Sequence, residues 1–157
     1  MDAAPRAFTE LPTDPELHVP VPFAAGTDVG YGDRPAGARL SVRDLDVRRV
    51  TQCALSRICG VCGAGLGRPL AFVGSQHDAD RLAFRFPACH LDCAEALLTS
   101  YAGVGEPVLG QDVAPVEWVL VTTASFEFVR PTRQDADRRA VFQPNGVLSP
   151  VGCVEQL

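Results

Sequence analysis

Two clusters of soft side chains constrain this chain more than any other feature. Cys59 and Cys62 stand in the turn Cys59-Gly60-Val61-Cys62-Gly63, and Cys89, His90 and Cys93 follow further along. Thiolates two residues apart can grip one cation, because the turn between them points both sulfurs the same way while its amides offset part of their charge. Gly60 and Gly63 suit such a turn, whose backbone takes conformations that only small residues tolerate. The second cluster opens a predicted helix, where residues i and i+3 share a face, so His90 and Cys93 converge. A place in the first turn also sets Cys93 near the positive end of the helix dipole, which favours its thiolate. Cys59, Cys62, His90 and Cys93 therefore form the expected ligand set, which closes one tetrahedral structural site for one zinc ion per chain. Cys89 is the rival to His90, since it lies four residues before Cys93. A helical projection at about 100° per residue centres the apolar stripe near His90, with Cys89 beyond its edge. His90 is preferred, and an all-thiolate set with Cys89 stays open as the alternative.

The 157 residues suffice for one domain with a modest core. A net charge of −5 opposes a general affinity for nucleic acid, which needs a basic surface to release counterions. No apolar run approaches the ~20 residues of a membrane helix, so no membrane partner is expected. The opening MDAAPRAFTELPTDPEL lacks the apolar segment of a secretory signal, and the expected location is cytoplasmic. In a reducing compartment the six cysteines read as metal ligands and small buried hydrophobes, not disulfides. All fourteen basic side chains are Arg. The absence of Lys excludes a Schiff-base amine, a phosphate-loop lysine and a lysine general base.

Six of the thirteen prolines fall within residues 1–35. Residues 1–38 read as an extended Pro/Gly-rich arm, tied down where Val19-Pro20-Val21-Pro22-Phe23 docks apolar side chains. Residues 39–157 read as a single zinc-stabilised domain, with a finger over 59–101 and a C-terminal β part over 113–150. Ser41 and Asp44 suggest the cap of a short helix in which Val47, Val50 and Ala54 follow helical spacing. Leu70–Val73 and Arg81–Phe86 read as two strands, the second apolar at Leu82, Phe84 and Phe86, with Gly74–Asp80 as the turn between them. After Pro87, Ala94, Leu97, Leu98 and Tyr101 mark one face of a helix stopped by Gly103 and Gly105. Val116–Val129 is rich in β-branched and aromatic residues. Ala140–Phe142 and Val147-Leu148 flank Asn145-Gly146, a pair that favours the tight turn of a hairpin.

The order of CxxCG knuckle, hairpin and helix supplying the last two ligands resembles the treble-clef zinc fingers over residues 59–101. The wider run CGVCGAGLGRPLAFVG…FPACHLDCAEAL resembles small uncharacterised actinobacterial and phage-encoded proteins. The resemblance implies a treble-clef finger, and with the strands and arm read above the expected fold is α+β: that finger, a C-terminal antiparallel sheet and the N-terminal arm. It does not select a function, because treble clefs serve nucleic-acid binders, ubiquitin-system modules, lipid readers and nucleases.

The function expected is that of a zinc-stabilised protein-interaction or regulatory module whose partner is another protein. One rival is a nucleic-acid binder using the Arg-rich stretch 34–57, where six Arg face Asp44 and Asp46. The other is a nuclease-like, metal-dependent enzyme using His77, Asp78 and Asp80 of the hairpin. A polar turn whose carboxylates satisfy backbone amides explains those three residues as well. Cys53 and Cys153 are expected as buried thiols, Trp118 as core, and His18 facing solvent.

Overall fold

The computed structural model describes residues 8–25, 41–137, 139–147 and 152–153. Residues 1–7 and 26–38 of the expected arm, Arg39, and Leu148 of the expected hairpin lie outside them. The described residues form an α+β structure with helices α1 (Val47–Ser56), α2 (Gln76–Arg81) and α3 (Leu91–Tyr101). Its strands are β1 (Leu70–Gly74), β2 (Cys89–His90), β3 (Val119–Val129), β4 (Val141–Val147) and β5 (Gly152–Cys153). They pair antiparallel in the order β2-β1-β3-β4. The long strand β3 is the hub. β1 takes one edge of its residues 119–123, so β5, at Val119 and Leu120, must take the other edge, which β4 continues from Thr123 to Val129.

The helix after Pro87 forms as its periodicity predicts. Ala94, Leu97, Leu98 and Tyr101 are all buried. Tyr101 meets Trp118 edge-on at 6.4 Å, and its hydroxyl donates to Pro20 O at 2.6 Å. That bond anchors the N-terminal segment, where Val19, Val21, Phe23, Ala24 and Ala25 are buried, so the expected docking of 19–23 reaches the main core. Trp118 is core as expected, and His18 is exposed.

Three local expectations give way to other structure. At α1 the cap is Asp46, whose side chain accepts from Arg48 N and Arg49 N, while Ser41 accepts from Arg43 N instead. The buried face is Arg49, Val50, Cys53 and Ala54, and Val47 is 79% exposed. The predicted turn Gly74–Asp80 is replaced by α2. Ser75 Oγ accepts from Asp78 N (3.1 Å) while Asp78 Oδ2 accepts from Ser75 N (3.2 Å), a capping box strong enough to start a helix in a polar stretch. The helix runs to Arg81 and ends at Leu82 in the left-handed region (φ 50°), so Arg81–Phe86 is not a strand. Phe84 does pair, exchanging both backbone hydrogen bonds with Phe142 (2.9 and 2.7 Å).

The third change is at Asn145-Gly146, which does not turn. β4 continues past it, keeping one register from Val129↔Val141 to Thr123↔Val147, with Gly146 in the left-handed region (φ 64°). The free edge of an eleven-residue strand offers more backbone partners than the local turn preference can outweigh. Pro144 is tolerated because Phe142 bonds outward to Phe84; two residues on, Pro144 also points its missing N–H away from β3.

These pairings close the sheet on itself. The segment 84–90 leaves the outer edge of β4 at Phe84 and reaches the outer edge of β1 at Cys89 and His90. Phe72, Phe84 and Phe142 are fully buried inside, with Phe72 stacked on Phe84 at 5.4 Å and Phe126 edge-on to Phe142 at 5.4 Å. Closing the sheet in this way delivers Cys89 and His90 beside the Cys59–Cys62 turn.

Candidate metal centre

The turn holding Cys59 and Cys62 follows α1 directly. Arg57 ends that helix in the left-handed region, and Ile58 then bridges to Gly65 across the turn. Inside it, Cys59 N donates to Ala64 O (2.8 Å) and Gly63 N to Cys59 O (2.9 Å). Gly63 has φ +79°, and a Cβ there would stand 3.0 Å from the Phe23 ring, so a side chain is excluded by both strain and space. The N-terminal segment braces the turn from outside. Phe23 N donates to Val61 O and Ala24 N to Gly60 O, both at 2.9 Å, and from the other side Gly60 N donates to Ala88 O.

His90 is the N-cap of α3 (φ −62°, ψ 147°), one residue before the first helical position, and Cys93 is the third helical residue. N-cap and N3 lie over one another, so the expected convergence survives the shift. Cys59, Cys62, His90 and Cys93 place their ligand atoms within 4.8 Å of one another, close enough to hold a metal ion. His90 Nδ1 is 3.4 Å from Cys62 Sγ and 3.7 Å from Cys93 Sγ. Tetrahedral zinc with its usual bond lengths separates a sulfur and a nitrogen ligand by about 3.5 Å.

The imidazole is oriented by its other nitrogen. Nε2 lies 2.8 Å from Gly65 O, and a carbonyl only accepts, so Nε2 carries a hydrogen and Nδ1 is the nitrogen turned to the cysteines. Cys59, fully buried, accepts from Val61 N (3.3 Å) and His90 N (3.5 Å). Cys89 is also fully buried, but its thiol donates to Pro87 O (3.3 Å) and it is not one of the convergent four.

The four neighbouring thiols perturb one another strongly. The neighbouring thiols, Cys62 first, then Cys89 and Cys93, hold the Cys59 thiol far below its ordinary value against the cost of burial. Side-chain bonding to Cys59 first, then burial, pushes Cys62 and Cys93 far up, and burial first, then Cys59, raises Cys89. Burial likewise raises Cys53, whose thiol faces Cys59 O at 4.0 Å. A divalent ion would offset the charge of three thiolates held this close together.

The other expected site residues are used differently. Asp78 is buried, capping α2, accepting from Gln111 Nε2 (2.7 Å) and pairing with Arg81 (3.6 Å). Asp80 accepts from Gln76 Nε2, and His77 is exposed on the same short helix. Among the described residues, Cys59, Cys62, His90 and Cys93 are the one group of three or more such side chains near enough to share an ion. In the Arg-rich stretch, buried Arg49 lies over the Phe23 ring (4.7 Å) and donates to Phe23 O, while Arg57 lies over Phe126. Arg43 pairs with Glu16 and Glu106. Arg34 and Arg39 lie outside the described residues.

Sequence reasoning missed the supports: Phe23, Ala24, Gly65 and Ala88 act through backbone atoms, which carry no residue signature. No protein-family model, no curated protein and no solved structure matches this chain. No helix among the described residues is long and apolar enough to cross a membrane.

Proposed function

We propose that the chain holds one structural zinc ion through Cys59, Cys62, Cys93 and His90 Nδ1, and serves as a zinc-stabilised protein-interaction or regulatory module. The observation that carries this reading is the His90 ring, fixed by Gly65 O so that its free nitrogen meets three convergent cysteines. Three thiolates suit zinc better than harder cations, and four protein ligands leave no open position for water or substrate. Order along the chain also supports a treble-clef finger: the turn at 59–62, the β1–β2 pair, then α3, with α2 inserted between the strands. The role of binding another protein in the cytoplasm is the expectation that accompanies such a finger.

Elemental analysis of the reduced, purified chain should find one zinc per chain, and X-ray absorption should find three sulfurs and one nitrogen around it. Absence of tightly bound metal, or a shell with a water oxygen in place of one ligand, refutes the structural-zinc reading.

A further inference from the structure

On the structural-zinc reading, we propose that Phe23 and Ala24 are positioning residues for the metal centre. Their amides hold the peptide groups of the cysteine turn, so that zinc and the N-terminal segment 19–25 bind the turn cooperatively. Both residues are buried, and all four of their backbone groups are bonded. The N–H groups face the turn, Phe23 N donating to Val61 O and Ala24 N to Gly60 O, both at 2.9 Å. The carbonyls face the start of α1, where Asp46 N donates to Ala24 O (2.8 Å) and Arg49 Nη1 to Phe23 O (3.1 Å).

The peptide between Gly60 and Val61 carries the effect to a ligand sulfur. It is trans, so its carbonyl and its N–H point in opposite directions. The carbonyl accepts from Ala24 N, and on the other side Val61 N donates to Cys59 Sγ at 3.3 Å. Bonds in such a chain strengthen one another, because a carbonyl that accepts makes its own N–H a better donor. Cys59 is fully buried, so water cannot take that donor's place. The next peptide, between Val61 and Cys62, is held at its carbonyl by Phe23 N, which sets the direction in which the chain enters Cys62.

The Phe23 side chain locks this arrangement. Its ring lies under the Arg49 guanidinium (4.7 Å) and fills the space beside Gly63, 3.0 Å from where a Cβ would stand. Gly63 is thereby fixed directly after Cys62. The Tyr101 hydroxyl ties the same segment, through Pro20 O, to the helix that carries Cys93. Segment 19–25 thus touches α1, the turn and α3. Linkage makes the coupling mutual: displacing the segment loosens the metal, and losing the metal frees the segment.

The test uses the full reduced chain with zinc, or with cobalt as its spectroscopic substitute. Phe23→Ala should weaken zinc binding about tenfold in competition with a chromophoric chelator, as losing a group that supports a ligand does. It should also move the sulfur-to-cobalt absorption to lower energy, because a thiolate with weaker hydrogen bonds gives up its electrons more readily. Phe23→Leu, which keeps most of the bulk beside Gly63, should restore both. Val119→Ala, in the core at the opposite end of β1 from the Leu70–His90 pair, should lower the melting temperature and leave both unchanged. Should Phe23→Ala fail to fold, the natural chain gives the reciprocal measurement. Zinc should slow hydrogen exchange at the amides of Phe23 and Ala24 about tenfold more than at the amides that Phe84 and Phe142 exchange. Zinc bound with unchanged affinity in Phe23→Ala, an equal loss in Val119→Ala, or equal slowing at both pairs of amides would overturn the coupling and leave the metal site standing. A chain that binds neither zinc nor cobalt would overturn both.

Discussion

His90→Ala removes two interactions at once, and their sizes differ enough to be separated. The first, on the structural-zinc proposal, is the metal bond through Nδ1. Removing partners that merely support a ligand costs 10–100-fold in affinity, so losing the ligand itself should cost at least ~100-fold, or ~2.7 kcal/mol. The second is the bond from Nε2 to Gly65 O, worth ~1 kcal/mol. Together they amount to ~4 kcal/mol, and at ~2–4 °C per kcal/mol for a chain of this length the melting temperature should fall by ~8–16 °C. With excess chelator the metal contribution disappears from both proteins, and the gap should shrink to ~2–4 °C. Cys89→Ser is the control. Its hydroxyl can still donate to Pro87 O, so the variant should keep a full equivalent of zinc, read by competition with a chromophoric chelator. Zinc retained in His90→Ala but lost in Cys89→Ser would refute the ligand assignment, and an unchanged gap under chelation would refute the claim that zinc stabilises the finger.

Two further outcomes follow from groups away from the metal. Asp14 is buried; its carboxylate accepts from Glu16 N, Leu17 N and Val42 N, and although burial opposes it, these donors hold its pKa below the ordinary value. Asp14→Asn turns an NH2 toward one of those amides and should cost ~1–3 kcal/mol at neutral pH. A depressed carboxylate stabilises the fold above its unfolded value of ~3.9 and loses that contribution as pH falls through its folded value. The difference between wild type and variant in urea melts should therefore be full at pH 7 and shrink below about pH 4; a difference that does not change with pH refutes the role of the charge. At Gly74, a Cβ would lie 2.7 Å from Asp78 Oδ2 and 2.9 Å from Phe84, neither free to move, because one caps α2 and the other stacks on Phe72. Gly74→Ala should destabilise the protein by ~1–3 kcal/mol in the same assay, and a neutral effect would show that α2 is held less firmly than its capping box implies.

What could be read from the chain alone was whatever rests on residue type at fixed local spacing. CxxC and HxxC named the four convergent side chains, and the stripe Ala94, Leu97, Leu98 and Tyr101 placed α3, because a helix face depends only on intervals of three and four residues. The β-branched run at 116–129 contained the hub strand, which starts at Val119, for a similar reason. Other decisions depended on neighbours distant in the chain. Asn145-Gly146 has the composition of a turn, yet the long open edge of β3 drew it into β4. The apolar alternation at Leu82, Phe84 and Phe86 looked like a strand, yet the capping box at Ser75 and Asp78 took the preceding residues into a helix, leaving Phe84 to close the sheet. Of the arginines that suggested a nucleic-acid face, Arg49 and Arg57 lie over Phe23 and Phe126, and Arg43 pairs with the acids at 16 and 106. The brace on the cysteine turn from Phe23 and Ala24, and the carbonyl of Gly65 that orients His90, left no mark in the sequence. Backbone groups are the same at every residue, so only the tertiary fold decides which of them face a partner.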